Sequence, residues 1–438
     1  MKLSPLMRCL SAILVVSLAH SASAQAPAAS APPAQAQPTP DTRSVREVLL
    51  TVARHQLRDL ADGEYKRGTW EEAQLSKPPK GITWTYQWGV TLYGLLRASE
   101  ATGDKTFSDF VLKHNQIASR YFTHLKWLEK TFDASRKEDL DKALQASGMA
   151  RFIRLVRLDF CGAMGHAMLE GFLKHNASPT ADETAVLDYI SDHISKKQPR
   201  IEGEGVLFRP EMGNTLWIDD LYMSCPFLIR RTQQTGNPAF LDDAAKQILG
   251  MARRQQDTDG LWFHAAHVAK GERAHFKWGR ANGWAMVTMV EVLSAMPENH
   301  KDRAAILEVL RKMVAGVKAL QRPNGMWGQV PTEADMWDET SSTAMFAYSI
   351  ARGVRRGYLP KEDLQVATKA FAAVMRHVAP NGDILEVSEG TGIGENLDYY
   401  RNRRRPVNDH HGPGIVMMAA AELLEVEREG AASDKARK

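Results

Sequence analysis

The stretch Asp259-Gly260-Leu261-Trp262 joins two turn-forming residues to two apolar ones. It lies between two stretches with helical periodicity, 239–253 and 281–295. Glycine tolerates the left-handed backbone of a tight turn, and the apolar pair returns the chain to a core. We therefore interpret this stretch as the connection between two packed helices.

The same pattern recurs along the chain, at Glu204-Gly205-Val206-Leu207, Asn324-Gly325-Met326-Trp327 and Asn381-Gly382-Asp383-Ile384-Leu385. The four glycines are about 55, 65 and 57 residues apart, and a unit of that length holds two helices and two loops. Repeated helix pairs bury their faces against neighbouring pairs. About six such units fit the chain, which predicts an (α/α)6 barrel whose longer loops gather at one end. An open helical solenoid is the alternative.

Helical periodicity dominates the rest of the sequence, and strand-like alternation is scarce, so we predict an all-α fold. Apolar residues recur at three- and four-residue spacing in nine stretches, 45–60, 89–101, 160–173, 239–253, 281–295, 303–320, 343–355, 364–377 and 414–426. No Pro/Ser-rich linker or long charge run interrupts them. We therefore expect one barrel domain at 45–428, followed by a disordered tail at 429–438.

The N-terminal residues 1–24 have the features of a signal peptide. Lys2 and Arg8 flank the start, an apolar run follows, and Ala22-Ser23-Ala24 offers a cleavage site. The apolar run is too short to span a bilayer. Residues 25–44 are mainly Ala, Pro, Gln and Ser, which predicts a disordered leader. We expect an exported protein, periplasmic or extracellular, with no membrane attachment after cleavage.

Composition limits the partners. The net charge is +4, of which Lys2 and Arg8 contribute two, so nucleic acid is not an expected partner. We expect a monomer or a weak homo-oligomer. Cys161 and Cys225 lie in apolar helical patterns and are expected to be buried free thiols. The chain has no CxxC or HExxH motif, so neither a metal nor another cofactor is expected. Ten tryptophans suit sugars, whose C–H faces stack on aromatic rings.

Asp219 and Asp159 are candidate catalytic residues, and Asp220 is a candidate for binding substrate. Asp219 and Asp220 are adjacent in Trp217-Ile218-Asp219-Asp220-Leu221, just before an apolar helical pattern. A carboxyl among apolar neighbours has a raised pKa and can act as a general acid, but Asp before a helix is often only a cap. The sequence does not decide which of the two would face a substrate. Asp159 precedes another apolar helix, where a cap or an ion pair with Arg157 is the alternative.

A second candidate group lies at the start of the next predicted helix. Arg280 could hold a carboxylate with two parallel hydrogen bonds, and Trp278 and Trp284 could stack on a sugar. Asn282 lies between them and is a further candidate for binding substrate. The alternative is a structural arginine with two core tryptophans.

Five further residues are candidates for lining a binding site. Trp84 and Tyr86 belong to an aromatic cluster before a helix, and His264 follows a turn, although a lone histidine is more often structural. Ser341 lies at a hydroxyl-rich helix start, where one hydroxyl caps the helix and others could bind sugar oxygens. Thr391 lies in a glycine-rich loop that no strand precedes, so the loop is not a dinucleotide site.

Taken in order, these segments resemble the unsaturated rhamnogalacturonyl hydrolases of glycoside hydrolase family 105, which are related to the family 88 unsaturated glucuronyl hydrolases. The resemblance runs from about residue 45 to 425 and includes Asp398-Tyr399-Tyr400 and the stretch 405–409. It implies an (α/α)6 barrel without a metal. It also implies removal of a 4,5-unsaturated uronic acid from the non-reducing end of pectin fragments left by a lyase.

The resemblance further implies a role for each candidate residue. Asp219 would protonate C4 of the vinyl ether while water adds at C5, and Asp159 would position sugar hydroxyls and water. Arg280 and the two tryptophans at 278 and 284 would hold the uronate, with Tyr86 and His264 lining the pocket. Members carry a histidine before the acid motif, where this chain has Leu207-Phe208-Arg209. The sequence therefore does not establish specificity for rhamnose.

Other functions remain compatible with these residues. An unsaturated glucuronyl hydrolase for glycosaminoglycan, ulvan or arabinogalactan fragments would share the fold and the chemistry. A non-catalytic glycan-binding protein would need the tryptophans but not two acids. A polysaccharide lyase on the same barrel would create the double bond rather than remove it.

Overall fold

The computed structural model of the protein describes residues 41–175 and 177–436. Within them the α-helices are α1 Val45–Gln56, α2 Trp70–Ala73, α3 Tyr86–Thr102, α4 Lys105–Phe132, α5 Lys137–Ala146, α6 Ala150–Ile153, α7 Gly162–Lys174, α8 Ala181–Asp192, α9 Cys225–Thr235, α10 Ala239–Gln255, α11 Gly279–Ala295, α12 Arg303–Ala319, α13 Thr340–Arg355, α14 Leu364–Met375, α15 Leu397–Arg401 and α16 Pro413–Ala436.

Short elements lie between these helices. Single 3-10 turns occur at Leu158–Phe160, Pro210–Met212, Ile218–Leu221 and Lys361–Asp363, and a π turn occurs at His193–Lys197. Two three-residue strands, β1 Thr215–Trp217 and β2 Ala265–His267, pair antiparallel. No helix among the described residues has both the length and the hydropathy needed to cross a bilayer.

Six helices form a closed inner ring in the order α3, α7, α9, α11, α13 and α16, and α16 packs against α3. The outer layer contains α1, α4, α8, α10, α12 and α14, so each outer helix precedes its inner partner in the chain. Inner helices are buried on all sides, as in α11, whereas α12 buries only one stripe of apolar residues. The all-α (α/α)6 barrel is therefore confirmed, and the open solenoid is not.

The glycine turns explain how the outer layer is held together. Gly260 has φ +90°, and a Cβ there would lie 2.2 Å from the carbonyl oxygen of Lys312 in α12. Gly382 has φ +95°, and its Cβ would lie 2.9 Å from the carbonyl oxygen of Thr51 in α1. Each turn thus packs against the next outer helix, and the last one meets the first helix of the barrel. Glycine is needed both for the positive φ and for the close approach.

The long connections all lie at one end of the barrel, as the sequence predicts. Outer helices lead to inner ones through the segments 57–85, 133–161, 193–224, 256–278, 320–339 and 376–412. The return connections are much shorter, at 103–104, 175–180, 236–238, 296–302 and 356–363. The N-terminal ends of the inner helices are therefore surrounded by loops that can form a pocket.

A buried charged network crosses the barrel farther along the inner helices. Glu291 accepts from Arg230 (2.6 Å) and from two tyrosine hydroxyls, and Arg352 lies 3.4 Å from the same carboxylate. All six inner helices contribute to this network, through Tyr93, Glu170, Arg230, Glu291, Arg352 and Glu422. Since a buried charge without a partner is costly, the network fixes how these helices pack.

All nine predicted helical stretches are helices in the structure, but the outer helices α4 and α8 and the shorter α2, α5, α6 and α15 were not predicted. In α4 the buried face includes His114, Asn115, Ser119 and His124, which interrupts the apolar period. The helix expected after Asp220 is α9, in which the first half is apolar and Arg230 is buried in the network. A prediction based on apolar periodicity therefore does not find a helix whose buried face contains polar residues.

Both expected domain ends differ from the structure. Arg43 donates to the carbonyl oxygens of Met375 (3.0 Å) and Val378 (2.6 Å), so residues 41–44 are packed rather than part of a disordered leader. Helix α16 continues to Ala436, and Glu429 accepts from Arg355 (2.7 Å). The prediction of a disordered tail is therefore wrong for residues 429–436. The predicted signal peptide and residues 25–40 of the leader lie outside the described residues.

Candidate active site

The loop end of the barrel gathers polar side chains from the starts of several inner helices. Tyr86 begins α3, Asp159 lies in the 3-10 turn before α7, and Asp219 lies in the 3-10 turn before α9. These three side chains therefore lie at the same end of the barrel. A cavity of about 400 Å³ opens there, with Tyr86 and Asp159 in its wall.

Arg209 joins two of the aspartates. Its Nη atoms donate to the Asp159 carboxylate at 2.8 and 3.1 Å, and its Nε and Nη2 donate to Asp220 at 2.6–3.1 Å. Burial raises the pKa of Asp220 to about 6, despite the opposing effect of Arg209. Asp220 has no exposed surface, and both its oxygens are bound to Arg209. Asp220 is therefore part of the support for the site, and the prediction that it contacts substrate is wrong.

Asp219 has a different environment from its neighbour. Its side chain is 14% exposed, and Oδ2 lies 3.3 Å from Nε2 of His264. The geometry of this contact does not meet that of a hydrogen bond, and Oδ2 has no other hydrogen-bond partner among the described residues. Burial would raise the pKa of Asp219, but His264 and Arg209 outweigh it, and the pKa is lowered. The expectation of a raised pKa is wrong for the unliganded protein, because the two residues that lower it come from other segments of the chain.

Neither of the acid segments caps a helix. The N-cap of α9 is Ser224, and that of α7 is Cys161. Asp159 pairs with Arg209, whereas Arg157 pairs with Glu211 at 2.7 Å. Both alternatives raised for these acids, a cap and a pair with Arg157, are thus excluded. Cys161 and Cys225 are buried free thiols, as predicted.

The short β1–β2 ladder explains why Asp219 meets His264. Trp217 pairs with Ala265 across the ladder, and the Ile218 amide donates to the His264 carbonyl at 3.3 Å. The His264 ring lies between Trp217 (centroids 4.9 Å apart) and Trp278 (4.8 Å). Its two ring nitrogens and the Trp278 Nε1 are buried without hydrogen-bond partners in the described part of the chain. Such unpaired polar atoms mark a place where a polar ligand can bind.

Arg280 fits the structural alternative better than the predicted binding role. Its side chain is 1% exposed, and it donates to the carbonyl oxygens of Ser388 (2.7 Å) and Glu389 (2.8 Å) and to the Ser341 hydroxyl (3.2 Å). Ser341 is fully buried and donates to Glu339 at 2.8 Å. The predicted contact of Ser341 with sugar is therefore wrong. Arg280 fastens the loop at 388–389 to the start of α13.

Two other residues of the same segment are structural. The Asn282 amide accepts from the Trp262 amide nitrogen at 2.8 Å and donates to the carbonyl oxygens of Trp262 and Trp278 at 2.9 Å. It thereby fixes the glycine turn at 259–262 to α11. Trp284 is 2% exposed and packs on Tyr222, with ring centroids 4.4 Å apart. The predicted substrate contacts of Asn282 and Trp284 are wrong, because both face the interior of the barrel.

A hydrogen-bonded chain at the site escaped the sequence analysis. The Tyr86 hydroxyl lies 2.6 Å from Nε2 of His411, and Asp409 lies 2.5 Å from its Nδ1. The Gln87 amide nitrogen, which can only donate, lies 3.3 Å from the same Nε2. His411 thus carries its proton on Nδ1, and Tyr86 donates to Nε2. Burial and the nearby Arg280 lower the pKa of His411, which keeps the ring neutral.

Trp84 and Thr391 lie at two edges of the site. Trp84 lines the cavity, stacks on Phe152 (centroids 4.0 Å apart) and donates to the Phe160 carbonyl at 2.8 Å. Thr391 is half-buried in the loop that Arg280 holds. A Cβ on the preceding Gly390 would lie 3.7 Å from the His411 ring, so this loop lies beside the Tyr86–His411 pair. No three His, Cys, Asp or Glu side chains in the described ranges converge as a metal site would require.

Comparison with known proteins establishes the class. Residues 62–427 match the family model for Glycosyl Hydrolase Family 88. The protein is therefore a glycoside hydrolase. More narrowly, the chain belongs to glycosyl hydrolase family 88.

Individual relatives confirm the resemblance seen in the sequence. The unsaturated rhamnogalacturonyl hydrolase YesR of Bacillus subtilis is 25% identical over 359 residues, which are 79% of this chain and 91% of YesR. The unsaturated 3S-rhamnoglycuronyl hydrolase of Alteromonas sp. is 26% identical over 215 residues, 48% of this chain and 51% of the relative. A possible GH105 member from Salmonella enterica shares the fold, with a TM-score of 0.66 at 22% identity over 90% of this chain and 97% of that one.

Proposed function

We propose that the protein removes a 4,5-unsaturated uronic acid from the non-reducing end of rhamnogalacturonan fragments produced by a lyase. The observation that carries this proposal is the position of Asp219. Its carboxylate is shielded from bulk solvent at the loop end of the barrel, and Oδ2, which lies 3.3 Å from Nε2 of His264, has no hydrogen-bond partner among the described residues. Such a group can deliver a proton to a carbon atom of a bound substrate.

The proposed reaction begins with transfer of a proton from Asp219 to C4 of the double bond. Positive charge then develops at C5 and the ring oxygen, and a water molecule adds at C5 and returns its spare proton to Asp219. The product is a hemiketal, which opens and releases the aglycone sugar. This differs from displacement at the anomeric carbon by two carboxylates, since the double bond rather than the glycosidic bond is attacked first.

Asp219 must gain a proton before this step. In the unliganded protein His264 and Arg209 lower its pKa. A bound uronate brings a second negative charge into the same buried region, and a like charge raises the pKa of a neighbouring carboxyl. We propose that substrate binding itself protonates Asp219, so that binding is accompanied by proton uptake.

Asp159 and Tyr86 would orient the substrate. Asp159 is held by Arg209 and lies in the cavity wall, where its carboxylate can accept hydrogen bonds from sugar hydroxyls or from the attacking water. The Tyr86 hydroxyl donates a hydrogen bond to His411, so the hydroxyl oxygen can accept a hydrogen bond from the substrate. Trp278 and His264 offer the unpaired donors that a uronate or a sugar oxygen would satisfy.

The choice of substrate is tested by adding the protein to each of a panel of lyase-derived disaccharides. The ultraviolet absorbance of the conjugated double bond is followed, and it falls as the double bond is removed. We expect the absorbance to fall fastest with the rhamnogalacturonan disaccharide. A faster fall with glycosaminoglycan, ulvan or arabinogalactan fragments would favour the second candidate, an unsaturated hydrolase for those glycans. The stretch Leu207-Phe208-Arg209, which stands where members of the resembling family carry a histidine, supports keeping that candidate. A rise in absorbance would indicate a lyase, and binding without any change would indicate a glycan-binding protein.

We also propose export, on the basis of residues 1–24 alone. The expected result is a mature protein that begins after Ala24 and is found in the periplasm or the medium. Mass spectrometry of the natively produced protein tests this, and an intact N-terminus in the cytoplasm would contradict it.

A further inference from the structure

The proposed reaction has a second half for which Asp219 is not available. Water addition leaves a hemiketal, in which C5 carries both a hydroxyl group and the ring oxygen. To open it, the hydroxyl must lose a proton and the ring oxygen must gain one. Asp219 has regained its own proton by then, so it cannot accept another. A second group that both accepts and donates a proton would speed this transfer.

Tyr86, His411 and Asp409 form a hydrogen-bonded chain that can do this. The Tyr86 hydroxyl donates to Nε2 of His411 at 2.6 Å, and Nδ1 of His411 donates to Asp409 at 2.5 Å. Burial would raise the pKa of Asp409, but the bond to His411 outweighs it, and the pKa is lowered. Asp409 is therefore ionised and would stabilise an imidazolium at His411, as the aspartate of a Ser-His-Asp triad does.

His411 can accept a proton only through Tyr86. Its ring is neutral, because burial and the nearby Arg280 lower its pKa. The Gln87 amide nitrogen, which lies 3.3 Å from the same Nε2, has no proton that it can give up to the ring. Among the described residues, Tyr86 is therefore the one neighbour of Nε2 that can pass on a proton.

The Tyr86 end of the chain faces the substrate cavity. Tyr86 lines that cavity together with Asp159, whereas His411 is buried behind it. The Tyr86 oxygen gives its hydrogen to Nε2, so it can accept one from a bound molecule. Tyr86 would thus contact the hemiketal, and His411 and Asp409 would act through it.

The loop 390–394 connects this chain with the segment that holds His264. A Cβ on the first residue of the loop would lie 3.7 Å from the His411 ring. The amide of its last residue donates to the Tyr400 hydroxyl at 3.1 Å, and Tyr400 packs edge-on against Phe276, with ring centroids 5.4 Å apart. The Phe276 carbonyl accepts from the His264 amide at 3.2 Å. One short loop therefore contacts both the chain and the surroundings of His264.

We propose that Tyr86 is a catalytic residue for the opening of the hemiketal, with His411 and Asp409 as positioning residues behind it. The C5 hydroxyl gives its proton to the Tyr86 oxygen while the Tyr86 proton moves to Nε2 of His411. C5 becomes a carbonyl, and its bond to the ring oxygen breaks. The proton returns through Tyr86 to the ring oxygen, so none is gained or lost overall. C1 is left as a hemiacetal, whose collapse releases the aglycone.

The inference rests on the proposed function, because the hemiketal is the product of its first half. A single-turnover experiment, with the protein in excess over the disaccharide that reacts fastest in the panel, separates the two halves. Ultraviolet absorbance follows the loss of the double bond. Mass spectrometry of quenched samples follows the released aglycone and any hydrated disaccharide, which is one water heavier than the substrate.

Four variants are compared with wild type. Tyr86→Phe and His411→Gln break the chain. Asp159→Asn changes another residue of the cavity lining that lies outside the chain. Tyr358→Phe is the matched control, because Tyr358 is also buried but lies in the connection 356–363 at the opposite end of the barrel.

In wild type and Tyr358→Phe, release of the aglycone should keep pace with the loss of absorbance. In Tyr86→Phe and His411→Gln, release should become roughly 10²-fold slower than the loss of absorbance, as expected when a general acid–base is removed, and the hydrated disaccharide should accumulate. Asp159→Asn should slow both signals together. A structural disturbance of the site would also slow both together, so the delay is specific to the chain.

Signals that coincide in both Tyr86→Phe and His411→Gln would overturn the inference, because the hemiketal would then open without the chain. So would a complete loss of the absorbance change in both variants, which would place the chain in the first half of the reaction. If wild type itself leaves the double bond intact, the proposed function is wrong and the inference fails with it. A normal loss of absorbance without the delay refutes the inference alone.

Discussion

The Asp219 carboxylate lies 3.3 Å from the imidazole of His264, although the two residues are 45 positions apart in the chain. The β1–β2 ladder produces this contact, because the strands are antiparallel and the chain just after β1 lies beside His264, which immediately precedes β2. The imidazole lowers the pKa of an acid that burial would otherwise raise. The pKa of Asp219 therefore depends on the presence of His264, and a change at position 264 should be visible in the pH dependence of activity.

Replacing His264 should shift the pH profile in a defined direction. Without the imidazole, burial dominates and the pKa of Asp219 rises. A general acid loses activity as pH rises above its pKa, so the alkaline limb of kcat/KM should move to higher pH in His264→Gln. His275→Gln, a change of an exposed histidine, is the matched control. An alkaline limb that stays in place in His264→Gln would show that the histidine does not act on the acid.

Replacing Arg209 should destabilise the fold as well as the site. Arg209→Met leaves Asp159 and Asp220 without their shared cation, and a buried charge that loses its partner costs about 3–5 kcal/mol. Arg157→Met breaks the half-exposed pair with Glu211 and should cost about 1 kcal/mol or less. The free energy of unfolding, measured in urea, distinguishes the two. Equal losses in both variants would argue against the bridging role.

The buried charged network around Glu291 should determine how the free energy of unfolding changes in acid. Burial would raise the pKa of Glu291, but Arg352 and Arg230 outweigh it, and the pKa lies far below its ordinary value. A lowered pKa contributes stability above the unfolded value of about 4.3, and this stability is lost as pH falls. Glu291→Gln should therefore cost about 3 kcal/mol at neutral pH, and the difference from wild type should shrink in acid.

Urea unfolding between neutral pH and pH 3 measures this difference. Glu298→Gln, an exposed change near the end of α11, serves as the control and should follow wild type throughout. A Glu291→Gln variant that loses stability with pH as steeply as wild type would contradict the assignment.

Tyr86 and His411 should act through one hydrogen-bonded chain. Tyr86→Phe and His411→Gln each break the contact at 2.6 Å and should lower kcat/KM roughly tenfold, the effect of one or two hydrogen bonds. Because both changes remove the same interaction, the double variant should be little worse than the poorer single one. Fully additive losses in this double-mutant cycle would show that the residues act independently.

The sequence predicts the barrel well because its signals are local. The turn at Gly260 needs a residue that tolerates positive φ, and the apolar period of helices such as α11 and α12 is set by the packing on each side. By contrast, α4 was missed because it buries His114 and Asn115. Patterns of apolar residues do not reveal helices whose buried face is polar.

The site was predicted less completely, because the sequence does not show which way each side chain points. Asp219 and Asp220 are adjacent, yet one keeps a free oxygen and the other is locked to Arg209, which no local pattern decides. Asn282 and Trp284 lie in a dense polar and aromatic segment but face the barrel interior. His411 could have been found, since it precedes the last inner helix just as the aspartates precede earlier ones.

The most direct measurement is the rate at which Asp219→Asn removes the absorbance of the double bond. Asparagine keeps the size of the side chain but cannot donate an acidic proton, so kcat should fall roughly 10²- to 10⁴-fold. Circular dichroism should show an unchanged fold, and Asp109→Asn, an exposed change on α4, should keep the wild-type rate. A rate in Asp219→Asn within a few-fold of wild type would contradict the account.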